Sequence, residues 1–257
     1  MPTAQEINEL KDTVATSCRI LGTRGVTHGA LGHVSARIPG TDRILIKAKG
    51  PDEEALEFAA VRDIITIDIE GAVLEAPEGL TSPNETAMHL AVYRARPEVM
   101  SVIHSHPDWV VVLTACEKPI LPIYGAYDPQ SMRMAADGIP VYPRSVTIVN
   151  DELGQDFMKT MGTSDTCLLR GHGMTTAGSS VEDCTNRSLR VYELARINYL
   201  AYAIGDPKPI PDRDIDEYRE RDTAGQRKRL QGPSTSGVRS DWKYYKKALE
   251  RSLGVAQ

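Results

Sequence analysis

The apolar positions of this chain change period repeatedly, and the changes predict short strands set among helices. Residues 3–22 read as a helix. Thr3 and Glu6 form a capping box, and Ile7, Leu10, Val14 and Leu21 supply an apolar stripe. Residues 25–37 hold three glycines and read as a turn that brings backbone N–H groups near a ligand, followed by a strand; after the turn Pro39-Gly40-Thr41-Asp42, residues 43–49 alternate as a second strand. Further short strands are expected at 61–68, 72–74, 120–123 and 139–142, with a loop across 124–138. A second helix is expected from Ser82, with Ser82 as N-cap, Pro83 at the first position and Glu85 three residues after the cap. Met88, Ala91, Val92 and Ala95 give it helical spacing, and Pro97 ends it. Residues 99–106 then read as a strand and 107–116 as a helix. A helix capped at Asn150 or Asp151 reaches Met161, a buried strand spans 166–169, and the longest helix runs from Ser179–Glu182 to Gly205. Beyond it, residues 206–240 are rich in Pro, Asp and Arg and read as an extended arm. A central, mostly antiparallel sheet between helical layers fits this order.

Candidate chemistry gathers around residues 82–107. Side chains on a strand alternate faces, so His104 and His106 point the same way and could share one metal ion. Glu85 precedes them. Taken alone, it reads first as the far half of a capping box. A third imidazole, His172, sits between Gly171 and Gly173 just after the apolar run 166–169. Three imidazoles with a carboxylate or a water make a four-coordinate site with an exchangeable position, the pattern of a catalytic metal. Zn2+ suits these donors best, and Mn2+, Co2+ or Fe2+ fit the same set.

Composition narrows the class. An apolar fraction of 41% and a charged fraction of 25% are ordinary for a globular protein, long enough at 257 residues for a full core. A net charge of −5 with scattered Lys and Arg argues against nucleic acid as partner. The polar N-terminus shows no signal peptide, and the run 109–115 is too short to span a bilayer. Cys18, Cys116, Cys167 and Cys184 are widely spaced, as expected of free thiols in a reducing cytoplasm.

Four ordered motifs resemble the class II aldolase/adducin family across residues 6–205. They are Gly32-His33-Val34-Ser35, Ser82-Pro83-Asn84-Glu85, His104-Ser105-His106 and Gly171-His172-Gly173. The resemblance implies a three-layer α/β/α fold with a largely antiparallel sheet, assembled as a homo-oligomer, a tetramer or larger. It implies that His104, His106 and His172 bind one divalent metal per subunit. It also implies that Glu85 is the acid/base that can ligate the resting metal. The departures bear on the substrate. His33 stands where sugar-phosphate aldolases of the family carry Asn. Lys47-Ala48-Lys49-Gly50 replaces a hydroxyl-rich phosphate segment, and Ser82-Pro83-Asn84-Glu85 lacks a second hydroxyl.

Gly32, His33, Ser35, Lys49 and Ser82 are therefore expected to line a small-molecule carboxylate site. His33 reads equally as a core or capping residue, and Lys47 as a solvated strand residue. The pattern looks closest to the branch that removes CO2 from hydroxylated aromatic dicarboxylates, such as a dihydroxyphthalate or a hydroxypyridine dicarboxylate. A metal-dependent aldolase or epimerase acting on a sugar phosphate is the alternative, and an adducin-like scaffold a further one. The expected organisation is a domain over 1–205 and a C-terminal arm over 206–257. Trp242, Tyr244 and Tyr245 would dock that arm on a neighbouring subunit. Either these aromatics or the loop holding Tyr124 and Tyr127 would wall the site.

Overall fold

A computed structural model describes residues 2–51, 55–229, 236–252 and 254. Its centre is an eight-stranded sheet made of β1 (His33–Arg37), β2 (Arg43–Lys47), β3 (Ile64–Asp68), β4 (Val73–Glu75), β5 (Ser101–Ser105), β6 (Val141–Tyr142), β7 (Thr166–Leu169) and β8 (Gly173–Gly178). The spatial order is β4-β3-β2-β1-β5-β8-β7-β6. Every pairing is antiparallel except β6 with β7. The expected three-layer architecture is present.

Strand alternation builds two cores. On β2, Leu45 joins one apolar cluster while Ile44 and Ile46 join the other; on β5, Ile103 and Val102 divide the same way. The first cluster is covered by α1 (Ala4–Thr23), α3 (Asp108–Ala115), α4 (Pro129–Ala135) and α6 (Val181–Ile204). The second is covered by α2 (Thr86–Ala95) and α5 (Asp151–Met161). The capping box of α1 forms as expected, with both the Thr3 and the Glu6 side-chain bonds present. Asn150 caps α5 by accepting from the Leu153 N–H at 2.9 Å.

Four expectations change. First, α2 begins at Thr86, not at Ser82. The Thr86 N–H and hydroxyl both close a turn onto the Pro83 carbonyl, at 3.2 and 2.7 Å, and Glu85 makes no side-chain cap. Its carboxylate is directed into the sheet instead. Second, residues 120–123 form no strand, and the loop over 124–138 holds α4, capped by Asp128 through the Gln130 and Ser131 N–H groups. Third, the buried strand β8 carries Gly-Met-Thr-Thr-Ala-Gly, a composition without strand periodicity; β5 and β7 on its two sides hold it extended.

Fourth, the described part of the C-terminal arm is helical, as α7 (Asp212–Arg229) and α8 (Ser236–Ser252). α8 packs on its own chain. Trp242 and Tyr245 lie against the core beneath α1 and α6, Leu249 is buried, and Asp241 pairs with Arg190. Among the described residues, no helix is long and apolar enough to cross a membrane.

Gly173 ties the fold to the site. A Cβ there would stand 2.3 Å from the Ser105 carbonyl oxygen, on the strand that carries His104. Gly173→Ala is expected to push β8 off β5 and cost about 2–4 kcal/mol. Chemical denaturation checks this; a midpoint unchanged from the parent would show that the strands separate freely.

Candidate metal centre

Three separate elements deliver the four candidate ligands. The strand β5 carries His104 as its last residue but one, with His106 just past its end. The three-residue hairpin between β7 and β8 presents His172, with Gly171 at φ 58° making the turn and the His172 N–H bonded to the Leu169 carbonyl at 3.1 Å. The turn before α2 brings in Glu85. Together their ligand atoms lie within 4.8 Å of one another and could hold a metal ion. The rings of His104, His106 and His172 pack edge to face with centroids 4.6–5.0 Å apart.

Hydrogen bonds to outer groups set the ligand orientations. His104 Nδ1 donates to the Met174 carbonyl at 3.0 Å, which leaves Nε2 bare. Glu85 Oε1 accepts the Ile148 N–H at 3.1 Å. Its Oε2 then faces His104 Nε2 at 3.2 Å and His172 Nε2 at 3.5 Å. His104 Nε2 is buried and makes no hydrogen bond, even to that oxygen. A nitrogen lone pair and a carboxylate oxygen held face to face repel unless a cation stands between them. The donor set therefore fits a divalent ion with nitrogen and oxygen ligands.

Burial would push the Glu85 carboxyl up. Hydrogen bonds and positive charge from the His104 and His172 imidazoles, a role that a bound cation would take over once their nitrogens are bare, outweigh it and hold the group below the usual carboxylate range. Burial, with the neighbouring imidazoles, pushes His106 down to about 3.

A cavity of about 290 Å³ opens beside the cluster, lined by Glu85, His106 and His172 and also by His33, Lys47 and Lys49; the His33 ring lies 5.3 Å from that of His104. Gly32 lines it at φ 85°, where a Cβ would press on the His104 carbonyl at 3.0 Å. Lys49 lies across the mouth, its ammonium donating to Asn84 Oδ1. Lys47, open to the solvated-strand reading, is instead only 3% exposed and donates to the Ala48 carbonyl.

Two expected lining residues are elsewhere. Ser82 does not line the cavity; Pro83 and Asn84 do. Ser35 is fully buried behind His33, with its hydroxyl among His89, Tyr93 and the Val102 carbonyl. Strand alternation puts it on the correct face but one residue pair too deep. Tyr127 is 73% exposed and stands outside the cavity lining, as do Tyr124, Trp242 and Tyr245.

The sequence reading missed His89 and Tyr93. His89 is fully buried against His33, and burial with the nearby His104 pushes it down to about 3. Their signal is the spacing Glu85, His89, Tyr93, one polar residue every four along an otherwise apolar helix face.

The chain belongs to the class II aldolase/adducin family: residues 12–199 match the Class II Aldolase and Adducin N-terminal domain. It is 38% identical over 211 residues to the 3,4-dihydroxyphthalate decarboxylase of Arthrobacter keyseri, covering 80% of this chain and 85% of that one. It is 39% identical over 209 residues to the enzyme of the same name from Terrabacter sp. (strain DBF63), covering 80% and 87%. In fold it resembles an aldolase II superfamily protein from Pseudomonas syringae, with a TM-score of 0.82 at 23% identity over 98% of this chain and 95% of that one. At that identity the likeness speaks for the fold alone.

Proposed function

We propose that this chain is a divalent-metal-dependent carboxy-lyase acting on a dihydroxylated aromatic dicarboxylate, of the 3,4-dihydroxyphthalate kind. The observation that carries the reading is the rest of the cavity lining beside the metal cluster. It presents His33, Lys47 and Lys49, which are cationic or imidazole donors suited to a carboxylate. The decarboxylase relatives support it. Homo-oligomeric assembly and a cytoplasmic location belong to the same proposal.

Glu85, His104, His106 and His172 would hold the ion, and Zn2+ suits their mixed nitrogen and oxygen donors best. The ion supplies Lewis-acid stabilisation of negative charge on the substrate oxygen beside the leaving carboxylate. The protein does the rest. Glu85 Oε2, ionised at rest, takes the proton of the ring hydroxyl as the substrate seats. Glu85 then passes that proton, as general acid, to the ring carbon that bears the leaving carboxylate, which turns the adjoining C–O⁻ into a ketone. The bond between that carbon and its carboxylate breaks, CO2 leaves, and the electron pair flows onto the ketone oxygen, restoring the aromatic ring and the oxyanion. Lys49 and His33 hold the second carboxylate. Leu31 and Pro83 supply apolar surface to the same cavity.

The test is CO2 release from 3,4-dihydroxyphthalate by purified protein given a divalent ion, run beside a ketose 1-phosphate. Cleavage of the sugar phosphate with no CO2 from the diacid would replace this reading with the aldolase. Within the same assay, Lys49→Met is expected to raise KM for the diacid about tenfold to a hundredfold with a smaller change in kcat. A variant with unaltered KM would remove Lys49 from the carboxylate site.

A further inference from the structure

Behind the cavity, four polar side chains form one buried line. His33 Nδ1 lies 2.8 Å from His89 Nε2. His89 Nδ1 lies 2.7 Å from Ser35 Oγ, and Ser35 Oγ lies 2.8 Å from the Tyr93 hydroxyl. Three of the four are less than 2% exposed, and only His33 reaches the cavity. The line crosses from β1 to α2, and the two strand residues are two apart on one face.

Ser35 Oγ has one proton and two acceptors in reach, His89 Nδ1 at 2.7 Å and the Val102 carbonyl at 3.2 Å, and Val102 is already the partner of Ser35 across the β1–β5 ladder; the line is read with the Ser35 proton on the His89 side. With its own proton committed, Ser35 Oγ can only accept from Tyr93 O–H. His89, accepting at Nδ1, carries its proton on Nε2 and donates it to His33 Nδ1. His33 is then left with one proton, on Nε2, the nitrogen not engaged by the line.

We infer that His89 is a positioning residue which, with Ser35 and Tyr93 behind it, locks His33 as the Nε2–H tautomer and so makes it a fixed hydrogen-bond donor to an anionic oxygen of the substrate. The inference rests on the dicarboxylate reading above for the identity of that oxygen, and on the buried line alone for the tautomer. It deepens the substrate class. A locked donor suits the second carboxylate, whose oxygen accepts from Nε2–H, and offers no lone pair to an ammonium at that position.

Three variants and two readouts test this. The zinc-loaded, 15N-histidine-labelled protein contains six histidines, few enough to assign by single substitutions. In the parent, the His33 nitrogen shifts are expected to report Nε2 protonated and Nδ1 bare. His89→Leu cuts the line. Ser35→Ala cuts it one bond further back with a smaller change of volume, should His89→Leu fail to fold. Both are expected to give a mixture of His33 tautomers while zinc content is kept. His89→Gln, whose amide can still donate to His33 Nδ1, restores the Nε2–H form.

In turnover, His89→Leu is expected to raise KM for the diacid about tenfold to a hundredfold, the loss of one hydrogen bond to a charged group. KM for a dihydroxybenzoate with a single carboxylate stays unchanged, and His89→Gln recovers most of the difference. A parent His33 protonated on Nδ1 would overturn the inference, as would a His89→Leu protein with the parental tautomer and KM. If the protein releases no CO2 from any diacid, the decarboxylase reading fails while the tautomer measurement still decides the line.

Discussion

Glu85→Gln is expected to leave a folded protein that keeps its metal but decarboxylates about 10²–10⁴-fold more slowly, the usual contribution of a positioned acid/base. The isostere keeps Oε1, which accepts the Ile148 N–H, so the turn ahead of α2 keeps its anchor. The amide NH2 then stands where Oε2 faced the cluster and does not ligate, so the three imidazoles hold the ion. The variant side chain cannot take the hydroxyl proton or return it to the ring carbon, because an amide nitrogen is no base at neutral pH. The loss should therefore fall on kcat, with KM little changed. Metal content by elemental analysis and the melting temperature separate this from a structural effect. A variant with parental kcat would move proton transfer to another group, and His106 on the same cavity wall would be the first to examine.

The two halves of the site differed in how clearly the sequence announced them. His104 and His106 are separated by one residue on a strand, so period-2 geometry alone puts them on one face, and the structure has them there. His172 was legible for a different reason. A histidine between two glycines at the end of an apolar run marks a turn, and Gly171 makes that turn with a positive φ. Glu85 was ambiguous, because an acidic residue three after a serine fits a capping box equally well. The structure resolves it through a tertiary effect no local pattern carries: the sheet offers imidazoles and the Ile148 N–H to that carboxylate, and the helix begins one residue later.

The deeper layer was hidden for a related reason. Ser35 shares a face with His33, but whether a side chain on that face meets ligand or core depends on what packs above it. Here α2 covers Ser35 with His89 and Tyr93. The strand β8 was missed because it carries no period of its own; α8 does carry one, with Val238, Trp242, Tyr245 and Leu249 at helical spacing, but it follows a polar stretch that reads as an arm. Small residues fill β8 since its neighbours on both sides press close, and α8 is polar apart from the few residues that meet α1 and α6.

Removing the metal is expected to cost both activity and stability, and the geometry says why the two go together. The candidate ligands come from the turn ahead of α2, from the end of β5 and from the β7–β8 hairpin, so one ion cross-links three elements that otherwise meet through packing. An ion at 1,000 times its dissociation constant adds about 4 kcal/mol to the folded state. For a chain of this size, each kcal/mol moves the melting temperature by about 2–4 °C. Chelation should thus lower it by about 8–16 °C and abolish CO2 release, and adding back a divalent ion should restore both. His104→Ala should abolish metal retention outright, because its bare Nε2 sits deepest, buried against Glu85 Oε2. The same variant also relieves the confrontation between that lone pair and the carboxylate. Without metal it should therefore melt no lower than the chelated parent, which sets loss of the ion apart from loss of packing. A parent protein indifferent to chelation in both melting and turnover, or a His104→Ala protein that still carries its ion, would leave the four side chains as a buried polar cluster with no cation to gather around.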